Sequence, residues 1–99
     1  MVKLTVLYGQ PKDPAAFEKY YANTHMPIAR KMDVRKIELS KVIGTPDGST
    51  PAFYRIADVY FDDMTHLQRS TGAPEGQATV GDLKNFASGG VTVLISEVA

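Results

Sequence analysis

Apolar positions along the chain recur with two different periods. Val2 to Tyr8 (V-K-L-T-V-L-Y) places Leu4, Val6 and Tyr8 on one face and Lys3, Thr5 and Leu7 on the other, the period of two expected of a strand. Gly9-Gln10-Pro11-Lys12 breaks that run, and Asp13-Pro14 follows. Aspartate is a favoured N-cap, and proline at the first helical position gives up an N–H that has no intrahelical partner there. From Asp13 the spacing changes. At about 100° per residue Phe17, Tyr20, Tyr21, Thr24 and Ile28 share one apolar stripe, with Glu18, Lys19 and Asn23 away from it. Pro27 clashes with the carbonyl four residues back and biases Met26 out of the helical region, so the regular helix is predicted to end at His25 or Met26. Ala29 to Asp33 reads as a further irregular turn.

Strand spacing returns in Val34 to Gly44, where Ile37, Leu39 and Ile43 alternate with Lys36, Glu38 and Ser40. Gly44 to Pro51 consists of turn formers and predicts an exposed loop. Phe53 to Phe61 (F-Y-R-I-A-D-V-Y-F) is apolar on both faces, as a central strand is. Asp62-Asp63 then caps a short helix carrying Met64, Leu67 and Thr71, interrupted at Gly72. Pro74-Glu75 restarts a helix whose buried side is Thr79, Val80, Leu83, Phe86 and Ala87. After Ser88-Gly89-Gly90, Val91 to Val98 forms the last strand.

The order β-α-β-β-α-β, with right-handed crossovers, predicts an α+β ferredoxin-like domain: a four-stranded antiparallel sheet with two helices on one face. Two helices cover only one side of such a sheet, and the strands are apolar on both. An open apolar face marks an association surface. The expectation is a homodimer in which the open faces meet, with a partly polar interior formed by residues such as Tyr8, Tyr54, Asp58 and Tyr60 or their opposite-face neighbours.

Ninety-nine residues make one domain, spanning 1–99, and 43% hydrophobic with 22% charged residues is the composition of a globular chain. Eleven basic residues balance eleven acidic ones, which leaves no electrostatic footprint for nucleic acid or an anionic membrane. Cysteine is absent, so thiolate chemistry and disulfides are excluded. No stretch approaches the roughly 20 apolar residues of a membrane span, and Met1 to Gly9 is too short for a signal-peptide core. A cytoplasmic protein is expected. The two histidines lie some forty residues apart without metal-ligand spacing, so no metal site is expected, and His66 on its short polar helix is read as solvated. Phosphate loops, serine elbows and dinucleotide fingerprints are absent.

His25 is the strongest candidate for chemistry. Its side chain exchanges a proton near neutral pH, and it sits about 80° from Phe17, at the margin of the buried stripe. The plainer reading is a C-terminal helix cap, favoured by the helix dipole. Asp58, in the middle of a strand between Ala57 and Val59, is costly there unless paired. It serves either as a hydrogen-bond acceptor facing a cavity or as half of a salt bridge to a neighbouring strand or subunit, the latter slightly favoured. Tyr20, Tyr21, Tyr54 and Tyr60 are core or interface residues whose hydroxyls can also orient a ligand.

The run D-P-x-x-F-x-x-Y-Y-x-x-x-H-x-P from Asp13 to Pro27, R-I-A-D-V-Y-F-D from Arg55 to Asp62, and P-E-G-Q with D-L-K-N-F-A-S-G-G between Pro74 and Gly90 together resemble the EthD family. That resemblance implies the dimeric α/β-barrel superfamily, whose wider membership includes cofactor-free monooxygenases, lactone isomerases, polyketide cyclases and haem-degrading enzymes. It places His25 on the family's histidine and matches Asp82 and Asn85 to family positions, where they either take part in the site or cap and tie down the second helix. Haem-degrading relatives tend to use a tryptophan, which this chain lacks.

The leading expectation is a small enzyme that applies His25 as a general acid/base to an apolar oxygenated metabolite without a bound cofactor, with Tyr21, Asp58 and Tyr60 contacting the substrate. The alternatives are a non-catalytic binding or accessory protein for a small hydrophobic ligand, and haem binding or degradation. A helix on the outer face of the sheet lets His25 serve a pocket between helices and sheet or at the sheet's end. A cavity lying wholly between two sheets would make His25 a cap and favour Asp58.

Overall fold

The computed structural model describes residues 1–99. In chain order the elements are β1 (Val2–Gly9), α1 (Pro14–Tyr20), a π-helical turn (Tyr21–His25), α2 (Met26–Ala29), β2 (Lys36–Lys41), β3 (Phe53–Phe61), α3 (Met64–Gly72), α4 (Pro74–Asp82), a 3-10 turn (Leu83–Asn85) and β4 (Val91–Glu97). The strands form one antiparallel sheet in the order β2-β3-β1-β4. This is the ferredoxin-like arrangement that the element order predicts.

Register decides which side chains meet the helices. Leu4 stands opposite Val59 and Ile95, and Val6 opposite Ala57 and Val93. Of these, Val6 and Ala57, with Tyr8, make the buried core together with Phe17, Tyr21, Met26, Ala29 and Phe86, and Leu4 packs at its margin. The alternate positions carry a mixed pattern on the open face: Lys3 opposite Tyr60, Thr5 opposite Asp58 and Leu94, Glu38 opposite Asp58. Tyr8 therefore belongs to the helix side. Tyr54 joins it there because the register shifts between Tyr8 and Gly9, which lets both Tyr54 and Arg55 reach Glu18 of α1.

Two boundaries differ from the expected ones for identifiable reasons. The regular helix does not run to His25 or Met26 and stop. It ends at Tyr20, passes through one π turn in which the Met26 N–H bonds to the Tyr21 carbonyl, and continues as α2 to Ala29. Widening the turn by one residue accommodates Pro27, which has no N–H to give and no room for a carbonyl four residues back. On the edge of the sheet, β2 is shorter than Val34 to Gly44 because it pairs only with β3, from Lys36 to Lys41. Ile43 lies beyond that pairing and is 97% exposed.

The other predicted signals act as expected. Asp13 accepts from the Ala16 N–H at 3.1 Å and Asp63 from the His66 N–H at 2.8 Å, each capping its helix. At the start of β4, Gly9 and Gly89 approach so closely that a Cβ on either would collide with the other's backbone. No helix is long and apolar enough to cross a membrane.

A candidate active site beside an apolar cavity

Between the helices and the sheet lies a cavity of about 320 Å³. Its floor is Leu4, Val6, Tyr8, Ala57 and Val59, its roof Met26, Ala29, Leu67 and Leu83, and one end is closed by Tyr21 and His25. Val80 of α4 with Val93 and Ile95 of β4 also border it, and all three are about half exposed. They mark its mouth, and this explains why Val80, expected on the buried side of its helix, meets solvent. Small-molecule sites run from roughly 300 to 1,000 Å³, so the cavity fits a compact ligand.

His25 is buried, 3% exposed, at the last position of the π turn. That turn stacks its ring over Tyr21, centroids 5.8 Å apart and 17° from parallel, while Phe86 packs tilted against both rings, 4.6 Å from His25 and 5.9 Å from Tyr21. Nδ1 lies 2.9 Å from Oδ2 of Asp82 at the end of α4. The other carboxylate oxygen accepts from the Tyr20 hydroxyl at 2.7 Å and from the Asn85 amide at 3.0 Å. Burial pushes the Asp82 carboxyl upward, but these bonds from Tyr20, Asn85 and His25 outweigh it and hold the group below its ordinary value. An ionised carboxylate only accepts, so Nδ1 carries a proton, and in the neutral ring Nε2 then presents a lone pair. Nothing in the chain hydrogen-bonds to Nε2. The arrangement is that of a base oriented by a carboxylate.

Tyr21 is equally buried, yet its hydroxyl has no hydrogen-bond partner. Burial pushes its phenol up to about 12, and burial with the adjacent Tyr21 raises Tyr8 still further, so both are neutral donors at physiological pH. Arg55 stands 5.2 Å from the centroid of the Tyr21 ring. Its guanidinium is committed to Glu18 through two hydrogen bonds of 3.0 and 3.1 Å, and it lines an outer cleft together with Arg30, divided from the cavity by Tyr21 and Met26, which border both.

The four residues singled out in the sequence divide between the two sides of the sheet. His25 and Tyr21 meet at the cavity. Asp58 and Tyr60 lie on the open face, where Asp58 accepts from Thr5 at 2.6 Å and pairs with Lys3 at 3.7 Å, and the Tyr60 hydroxyl donates to Glu38 at 2.5 Å. Asp82, for which the sequence left a place in the site or a helix tie, is hydrogen-bonded to His25 and orients its ring. The expectation of a solvated His66 is corrected: it is buried, edge-on to Phe61, with Nδ1 accepting from the Asp62 N–H at 3.0 Å and Nε2 donating to the Asp33 carbonyl at 3.1 Å. The Asp63 cap folds the first turn of α3 back over the end of β3 and so tucks this ring under the chain. No group of three or more metal-ligating side chains gathers anywhere in the structure.

Sheet order, helix layer and helix-side cavity define a ferredoxin-like α+β domain of the kind found in dimeric α/β barrels. Within that class residues 9–90 match the EthD domain, and the chain belongs to the EthD family. It is 38% identical to an EthD family protein of Bacillus halodurans, with a TM-score of 0.94 over 100% of this chain and 99% of that one. An uncharacterised 11.0 kDa protein of Rhodococcus erythropolis, from a thcB-thcC intergenic region, is 35% identical over 97 residues, which is 98% of this chain and 94% of the relative. More distant likenesses are of fold alone. A dimeric protein of unknown function from Bacteroides fragilis is 18% identical with a TM-score of 0.68, covering 98% of this chain and 95% of that one. SnoaB, a cofactor-independent oxygenase from Streptomyces nogalater, is 16% identical with a TM-score of 0.67, covering 98% and 91%.

Proposed function

We propose that this protein is a small-molecule enzyme in which His25 acts as a general acid/base on an apolar, oxygenated organic molecule held between helices and sheet, without a cofactor. The observation that carries this reading is the commitment of Nδ1 to Asp82, which leaves Nε2 free at a cavity with 15 hydrophobic residues among its 18 lining residues. Nε2 takes a proton from an O–H or activated C–H of the substrate, and the imidazolium that forms stays paired with the Asp82 carboxylate. The same nitrogen returns the proton later in the cycle. Low polarity around the pair strengthens that stabilisation relative to water. Asp82 is a positioning residue, and Tyr20 and Asn85 hold it in place.

The working unit in this proposal is a homodimer joined through the open face, where Leu7, Ile56 and Leu94 lie among the Asp58 and Tyr60 hydrogen bonds. Asp58 and Tyr60 would then contribute to an interior between sheets rather than to the His25 cavity. The dimeric description of the Bacteroides fragilis protein supports this by analogy of fold. The alternative, a binding protein that does no chemistry, is favoured by the overwhelmingly apolar lining. Replacing His25 by alanine separates the two. Loss of turnover with dimer and fold intact supports the enzyme, unchanged turnover refutes His25 as its acid/base, and ligand binding with no turnover in either form supports the binding protein.

A further inference from the structure

We propose that the closed end of the cavity recognises an uncharged molecule bearing one acceptor oxygen, a ketone or a phenol, and that this oxygen takes the hydrogen bond of the Tyr21 hydroxyl. The inference rests on the reading above that the cavity is the ligand site, and adds to it the class of ligand.

Tyr21 is 3% exposed and lines the cavity, and its hydroxyl is left without a partner. A buried donor with no acceptor is costly, and native proteins retain few of them. Other polar side chains in the lining are already engaged: the Thr71 hydroxyl donates to the Leu67 carbonyl at 2.9 Å and the Thr79 hydroxyl to the Glu75 carbonyl at 2.8 Å. The Tyr8 phenol packs edge-on to Tyr21 at 5.5 Å. Even with the Tyr8 hydroxyl leaning on the Tyr21 oxygen, one phenolic proton remains without an acceptor. The chain thus offers the ligand a donor at Tyr21 and a lone pair at His25 Nε2.

Charge narrows the class. The cavity lining contains no arginine or lysine: Arg30 and Arg55 line the outer cleft, which Tyr21 also borders, and the Arg55 guanidinium there is bonded to Glu18. Asp82, the nearby carboxylate, is negative and already holds three donors. A bound carboxylate or phosphate would lie unpaired in an apolar enclosure next to that charge, which is strongly unfavourable. A neutral oxygen meets the Tyr21 donor without this penalty. A ketone uses only that donor, while a phenol also gives its own proton to His25.

Four bicyclic probes test the proposal by calorimetric titration: 1-tetralone, 1-naphthol, the oxygen-free tetralin and the anion 1-naphthoate, each against wild type and Tyr21→Phe. Phenylalanine keeps the ring packing, and circular dichroism checks that the variant folds. The expected result is that 1-tetralone or 1-naphthol binds wild type about tenfold more tightly than tetralin, and that Tyr21→Phe removes most of that preference. Naphthoate should bind more weakly than either oxygenated neutral probe. An advantage of naphthol over tetralone that vanishes in His25→Ala identifies the phenol, and equal binding of the two identifies the ketone. The proposal is overturned if the preference persists in Tyr21→Phe, if naphthoate binds most tightly, or if no probe binds at roughly millimolar concentration. Failure of the acid/base reading looks different: turnover survives in His25→Ala while the preference for oxygenated probes stands.

Discussion

The two histidines should occupy opposite tautomers, and replacing Asp82 should disturb only one of them. His25 faces an ionised carboxylate at 2.9 Å and must donate from Nδ1. His66 receives the Asp62 backbone N–H on Nδ1 at 3.0 Å and must therefore carry its proton on Nε2. A long-range proton–nitrogen correlation spectrum recorded where both rings are neutral separates the two forms. In Asp82→Asn one acceptor oxygen becomes a donor, so His25, Tyr20 and Asn85 compete for the oxygen that remains. Hydrogen bonds to a charged group contribute about 1.5 to 3 kcal/mol each, and a buried donor left unpaired costs a similar amount. The variant should lose on the order of 2 to 4 kcal/mol, which for a domain of this size lowers the melting temperature by roughly 10 to 20 °C. The pH dependence has a definite sign. The folded carboxyl lies below its ordinary 3.8, so its stabilisation is complete above the unfolded value and lost as pH falls through the folded one. The gap between wild type and Asp82→Asn should accordingly be full at neutral pH and shrink below about pH 4. An unchanged His25 tautomer together with an unchanged melting temperature would refute the proposed orientation of the base.

Two further outcomes follow from the same geometry. Tyr21→Phe removes a buried hydroxyl that has no partner, so thermal denaturation should show the variant at least as stable as wild type, by up to about 1 kcal/mol; a loss larger than that would mean the hydroxyl is satisfied in the free protein. Leu94 is 52% exposed on the open face, so Leu94→Asp should yield a single-chain mass by light scattering where wild type gives twice that mass, and a wild-type monomer at micromolar concentration counts against the dimer.

The sheet was legible in the sequence because strand periodicity, turn residues and element order all pointed to one topology. Phe53–Phe61 was delimited from its composition, and both aspartate caps from their position ahead of apolar spacing. The middle of α1 through α2 was harder. Proline after a histidine signals a helix stop, and a π turn that carries the chain past it leaves no separate mark in the residue pattern. Pairing of His25 with Asp82 joins residues 57 positions apart and depends on how two helices lie over the sheet. A signal was nevertheless present. Asp82 falls three residues after Thr79 and four before Phe86, on the stripe that was read as buried, and an acid on a buried stripe calls for a partner. His66 was misread because its short helix looks polar in isolation, and only the fold brings Phe61 and the Asp33 carbonyl against its ring.

Strand alternation also explains why Asp58 and His25 could not be assigned to one site from the sequence. Ala57 faces the helices and lines the cavity, while its neighbour Asp58 points to the opposite side and meets Thr5 and Lys3. A register slip of one residue would exchange them, placing a carboxylate in the apolar enclosure and a methyl group on the open face. The register is therefore under two constraints at once: a small residue at 57 leaves room beside Tyr21 and His25, and a paired acid at 58 keeps the other face polar enough to specify how it is covered. The sheet separates the histidine chemistry from the proposed dimer contact, so substitutions on the open face should reach His25 only by changing the shape of the sheet itself.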